Sequence, residues 1–290
     1  MRHSTNTRKN PAVLDWTSSF QRRSNVAFFA EALRDMKKKQ IGNHGVGVIG
    51  LIGRRDRAGI LLRHAQAALR WDERPSRWSH AFLMAAPAQA DRELLGTPIW
   101  EVTLQPQDTA DPGPERNGVQ EGRLGDFDDP VVNANVALLV VTMTDQEAQR
   151  VLERAREPNI DRVRYDLWKS LGRWQAYLWA TQDRINPLEH GFPMFCSSYV
   201  EMAYEAIQLD LTPGASEHNS APEHLWNAAL WWHGAYRELG HPISGYAVVR
   251  DGPAVPLEPS SSRLPDHLGS FGRAKPPATR SPSYNSRNKH

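Results

Sequence analysis

The chain has 290 residues, 40 % hydrophobic, 9 % aromatic and 23 % charged, an ordinary globular composition that excludes wholesale disorder. Thirty-five Lys and Arg against 33 Asp and Glu leave a net charge of +2, too balanced for a dedicated nucleic-acid binder, so no specific nucleic acid is expected as a partner. One cysteine, Cys196, excludes an intrachain disulfide and any multi-cysteine zinc or iron–sulfur site.

Residues 1–23 carry charge but no apolar core, and Arg22-Arg23 lacks the apolar run of a twin-arginine signal. The longest apolar stretch, residues 136–141, is far short of a membrane span. The expectation is a protein that is cytoplasmic as synthesised, with export open only to a route that needs no cleavable signal peptide. Charge is unevenly spread: +6 over 1–40, −8 over 41–252 and +4 over 253–290. This divides the chain into a basic N-terminal helical extension (1–40), a main domain (41–252) and a basic tail rich in Pro and Ser (253–290), read as disordered.

In chain order, Ser24 precedes a helix-period stretch (Val26, Phe29, Leu33, Met36) that ends in Lys37-Lys38-Lys39, cations suited to a helix C-terminus. Residues 46–52 read as a strand, and Ala58, Leu61, Leu62, Ala65 and Leu69 as an amphipathic helix. Strands are expected over 81–84, 99–104 and 131–141, and the intervening 105–130 reads as a 26-residue loop. Thr144-x-x-Glu147 and Ser220-x-x-Glu223 are both capping boxes, starting helices over 145–156 and 221–239, the second closed by Gly240 and Pro242. A further helix is expected over 161–181, with Leu167, Leu171, Trp174 and Leu178 on one face.

Cys196 follows Pro193 and precedes Val200, Ala203 and Ile207 at helical spacing, which places it in the first turn of a helix. There the partial positive charge of the N-terminus favours the thiolate, the form that attacks carbonyls, and the cysteine's own N–H could help hold an oxyanion. A free cysteine is also a common small core residue. A thiolate nucleophile needs an imidazole and a group to orient it. His80 opens a short apolar strand, and Glu101 lies 21 residues on within the next; antiparallel pairing of the two would bring them together. Taken singly, His80 equally reads as a satisfied histidine at a strand end, and Glu101 as the outward alternation of an edge strand.

The order of these elements resembles that of the permuted NlpC/P60 papain-like hydrolases of the YaeF/YiiX type. In that family a Ser-His motif starts a strand, followed by a Glu on the next strand, an extended strand, a helix, a Tyr-Asp pair and a Cys-Ser on a helix. The present chain offers Trp78-Ser79-His80, Glu101, the run 136–141, the helix from Thr144-Asp145-Gln146-Glu147, Tyr165-Asp166, and Cys196-Ser197-Ser198-Tyr199-Val200 with Ala203-Tyr204. The resemblance covers residues 46–208. It departs from the family at Ile49-Gly50-Leu51-Ile52, where Pro-Gly-Asp is usual, and at His80-Ala81-Phe82, where small residues usually follow the histidine. It implies an α+β, papain-like, circularly permuted fold with a small antiparallel sheet, packed helices and helical additions. Cys196 would be the nucleophile, His80 the general base and then acid, Glu101 the residue orienting the imidazole, and Tyr165 a substrate-side or oxyanion residue.

Gly45-Val46-Gly47-Val48-Ile49-Gly50 spells a dinucleotide-binding pattern, but a strand-like run overlaps it where a helix should begin. The chain contains no His-x-His and no His-Glu-x-x-His, so neither a metal nor a cofactor is expected. The tryptophans read as packing residues of helices, with a lipid- or acyl-binding groove as the alternative. The expected activity is hydrolysis of an amide of the cell-wall peptide class through a Cys-His-Glu triad and an acyl-enzyme. The alternatives are a lipid acyl-ester hydrolase or acyltransferase of the same fold, and a non-enzymatic binding module. Such substrates lie outside the cytoplasm, so delivery as a secreted effector, with an immunity or secretion partner, would reconcile the amidase reading with the sequence; cytosolic activity is the alternative, and the sequence does not choose between them.

Overall fold

The computed structural model describes residues 14–16, 24–39, 47–85, 91–103, 118–157, 195–215, 220–231, 233–241 and 243–250. The helix expected over 161–181, Tyr165 within it, and the tail over 253–290 lie outside the described residues. The strands are β1 (Leu14–Trp16), β2 (Val48–Arg54), β3 (His80–Met84), β4 (Pro98–Thr103), β5 (Gly118–Arg123), β6 (Asn133–Val141) and β7 (Ile243–Val249). The α-helices are α1 (Asn25–Lys39), α2 (Arg57–Ala65), α3 (Asp145–Arg156), α4 (Cys196–Glu205), α5 (Pro222–Trp231) and α6 (His233–Glu238).

The fold is α+β. One sheet of seven strands runs in the order β1-β7-β6-β2-β3-β4-β5, larger than the small sheet expected. Six of its strands pair antiparallel, and the short β1 adds parallel to β7. Alternate residues divide its two faces. Val48, Ile52, Phe82, Met84, Ile99, Val136, Leu138, Val140, Tyr246 and Val248 share one core with Phe28, Phe29, Ala32 and Met36 of α1. The helix expected within the basic N-terminal segment thus packs into the domain core. The intervening residues Ile49, Leu51, Ala81, Leu83, Ala137 and Leu139 are buried as well. Helix α4 packs on β3 and β4, and α5 and α6 pack on β7. Strand β6, central and covered on both faces, is buried at every position, which explains its continuous apolar run.

Gly50 lies opposite Phe82, and a Cβ there would stand 2.0 Å from the Phe82 ring. The described part of the glycine-rich pattern at 45–50 is therefore, from Val48 on, a strand made to fit a neighbouring ring, and the next helix begins only at Arg57. The capping box at Thr144 forms as expected: Thr144 accepts from the Glu147 N–H, and the Glu147 carboxylate takes the Thr144 N–H at 2.7 Å.

Two expectations are corrected. Residues 105–130 are not one loop, because residues 118–123 form β5 and Leu124–Phe127 a 3-10 turn. Strand β5 is a sheet edge with a single large apolar residue, Val119, so its identity comes from backbone pairing with β4 and not from a hydrophobic pattern. Nor do Ser220 and Glu223 form a capping box. The Glu223 N–H donates to Gln66 Oε1 at 2.9 Å, its carboxylate pairs with Arg70, and Ser220 Oγ donates to Glu201. A buried guanidinium outbids a helix cap for the carboxylate. The helix expected over 221–239 is described as α5 and α6 on either side of residue 232, which lies outside the described residues, and Gly240, at φ +88°, follows the second.

Candidate active site

Cys196 is the first residue of α4, preceded by Phe195 in extended conformation. The helix is fixed from three sides. Ser197 Oγ donates to the Ser220 carbonyl at 2.7 Å, Tyr199 OH to the Ala155 carbonyl at 2.6 Å, and Tyr204 OH to the Gly47 carbonyl. Its N-terminal N–H groups are the donors a helix start leaves unpaired, and the Ser197 N–H is among those directed at the thiol sulfur.

His80 is the first residue of β3, and the segment before it is held by side chains. Gln66 Nε2 donates to the Trp78 carbonyl at 2.9 Å, and Asn135 Nδ2 to the Arg77 carbonyl at 3.0 Å. Ser79 Oγ accepts the Arg54 N–H at 3.0 Å, so the serine of the Ser-His motif stitches β3 to β2. Strand β4 places Glu101 opposite Phe82. His80 and Phe82 lie on one face of β3, so Glu101 is diagonal to His80, within reach of two long side chains. His80 Nε2 meets Glu101 Oε2 at 2.6 Å, which leaves Nδ1 as the nitrogen free to address the thiol. The second carboxylate oxygen, Oε1, accepts from Gln120 Nε2 at 3.4 Å, and the Phe127 ring lies 5.7 Å from the imidazole.

Cys196, His80 and Glu101 are 6 %, 8 % and 4 % exposed, so water screens their interactions weakly. Burial pushes the imidazole down, but the hydrogen bonds to Cys196 and Glu101 and their charges outweigh it and hold His80 up at about 10. Burial likewise pushes the thiol up. Contact with His80, the charge of its ring, and the N–H groups of Ala81 and Ser197 reverse this and hold Cys196 below the ordinary thiol range. Both directions favour a thiolate beside an imidazolium.

The structure therefore brings together three of the four residues singled out in the sequence; the fourth, Tyr165, lies outside the described residues. Gln120 and Phe127 escaped the sequence reading because both fall in the stretch taken for a loop. Among the described residues, no group of three or more His, Cys, Asp or Glu could hold a metal ion, and no helix is long and apolar enough to cross a membrane. No family model matches the sequence, and no curated protein matches it.

Proposed function

We propose that this protein is a thiol-dependent hydrolase of the permuted papain-like kind, cleaving an amide bond through Cys196, His80 and Glu101. The observation that carries the reading is the meeting of one buried cysteine, at a helix N-terminus, with a histidine whose other ring nitrogen is 2.6 Å from a buried carboxylate. The order His, Glu, Cys along the chain is the order the family resemblance implies, with the imidazole delivered by paired strands and the thiol by the later helix.

In this reading the Cys196 thiolate adds to the substrate carbonyl, and the helix-start N–H groups face the developing oxyanion. Imidazolium His80 gives its proton to the leaving amine as the C–N bond breaks, leaving a thioester. Neutral His80 then takes a proton from water, hydroxide adds to the thioester, and the thiolate leaves to re-form the ion pair. Glu101 fixes the ring's orientation and stabilises its charged form throughout.

Cell-wall peptides are the first substrate class, with delivery outside the cytoplasm as the corollary. A second reading, acyl-ester hydrolysis or acyl transfer at a lipid surface, is favoured by one observation: Trp71 and Trp231 stand 77 % and 58 % exposed. Incubation of the wild type, Cys196→Ala and His80→Ala with peptidoglycan peptides and, separately, with phospholipid vesicles tests both. Peptide cleavage lost in both variants is the expected result. Fatty-acid release with peptides left intact would overturn the amidase reading. No turnover, with a thiol indifferent to His80, would leave a binding module.

A further inference from the structure

We infer that Glu223 is a positioning residue for the Cys196–His80 pair, acting through Ser76 and Gln66 on the backbone that delivers His80. The inference rests on the catalytic reading above and adds to it a residue from a distant helix. Trp78, two residues before His80, has both backbone polar groups taken by side chains. Its N–H donates to Ser76 Oγ at 2.9 Å, and its carbonyl accepts from Gln66 Nε2 at 2.9 Å. Glu223 holds both of those side chains. Its Oε2 accepts the Ser76 hydroxyl at 2.6 Å, and its N–H donates to Gln66 Oε1 at 2.9 Å.

The same helix also grips the Trp78 side chain, since Trp226, one turn on from Glu223, lies against it with ring centroids 4.9 Å apart. Glu223 is 1 % exposed, and a carboxylate buried so completely needs compensation. Arg70 supplies it at 3.1 Å, and the charge of Arg77 adds to it. Arg70 is itself oriented by Asp72 at 2.7 Å. A helix cap at Ser220 would need no such partners, so the burial of Glu223 is explained by what it fastens. The residue belongs to none of the reacting groups; it sets where the entry to β3 sits relative to α4.

The test is the pH dependence of Cys196 alkylation by iodoacetamide in the full chain, which needs no substrate. Cys196→Ala serves as blank, and urea midpoints are recorded in parallel. Glu223→Ala and Ser76→Ala should each move the thiolate titration up by about one pH unit, roughly a tenfold loss of thiolate below it. The double variant should add nothing, because both act through one chain of contacts, and Ser76→Thr, which keeps the hydroxyl, should restore the wild-type profile. A folded Ser76→Ala protein with the wild-type profile would overturn the inference, as would additive shifts. Should Glu223→Ala fail to fold, Ser76→Ala alone decides, because loss of one neutral hydroxyl leaves Arg70 both of its carboxylates. His80→Ala separates the two levels. If it moves the profile while Ser76→Ala does not, only the role of Glu223 fails. If it leaves an ordinary thiol titration unchanged, the catalytic reading fails and this inference with it.

Discussion

Replacing Glu101 with Gln tests the charge of the site while keeping its shape. The amide oxygen can still face His80, but the negative charge 2.6 Å from Nε2 is gone. With both partners nearly inaccessible to water, the lost interaction is a charged hydrogen bond, worth about 1.5–3 kcal/mol. At about 1.4 kcal/mol per unit, that is a fall of about 1–2 units in the imidazole pKa, from its native position of about 10. Because the thiolate is held by the imidazolium, weakening the cation raises the thiol. The acid limb of the iodoacetamide alkylation profile should therefore move to higher pH by about one unit, and the alkylation rate on that limb should fall about tenfold. Hydrolysis by the same variant should fall at least as far, since the ring also loses its orientation. The reasoning is refuted by a folded Glu101→Gln protein, with an unchanged urea midpoint, whose alkylation profile superimposes on the wild type.

Three further outcomes follow from the packing and the buried charges. Gly50→Ala drives a methyl group into the Phe82 ring, which is stacked on Phe127 with centroids 5.2 Å apart. It should cost about 1–3 kcal/mol, read as a lower urea midpoint, and an unchanged midpoint would mean that Phe82 moves aside freely. Burial, reinforced by the charge of Asp210, pushes Glu201 up to about 7 from an ordinary 4.5. The folded state then holds this proton more tightly than the unfolded chain, so stability should fall as pH rises from about 4.5 to about 7 and level off above. Glu201→Gln should remove that slope and gain on the wild type at alkaline pH; equal slopes in urea titrations would defeat the assignment. Thr144→Ala removes the hydroxyl that caps α3 and should lower stability by about 1 kcal/mol in the same assay, with no change at Cys196; a loss of alkylation would show that α3 controls the site.

Much of the site was legible because its signals are local. A proline, a cysteine and a helix-period run place Cys196 at a helix start, and a histidine opening a five-residue apolar strand is visible without knowing what the strand pairs with. The capping box of α3 needs only four consecutive residues. The strands β1, β5 and β7 were missed for the opposite reason. Their existence depends on a neighbour's backbone, and β5, at the edge, carries almost no apolar alternation to announce it. Gln120 was lost with β5, since its approach to Glu101 is a consequence of register. Glu223 was misread because its spacing to Ser220 fits a cap, and only packing shows Arg70, more than 150 positions earlier in the chain, claiming the carboxylate.

The amino-acid sequence by itself determined the residue types available for chemistry, the local conformations of most helices and buried strands, and the order in which thiol, imidazole and carboxylate occur. Tertiary structure alone decided their partnership. Hydrogen bonds and ion pairs act over about 3 Å, so whether His80 faces Glu101, and whether a carboxylate caps a helix or fastens a strand, depends on registers and burial that no local pattern encodes.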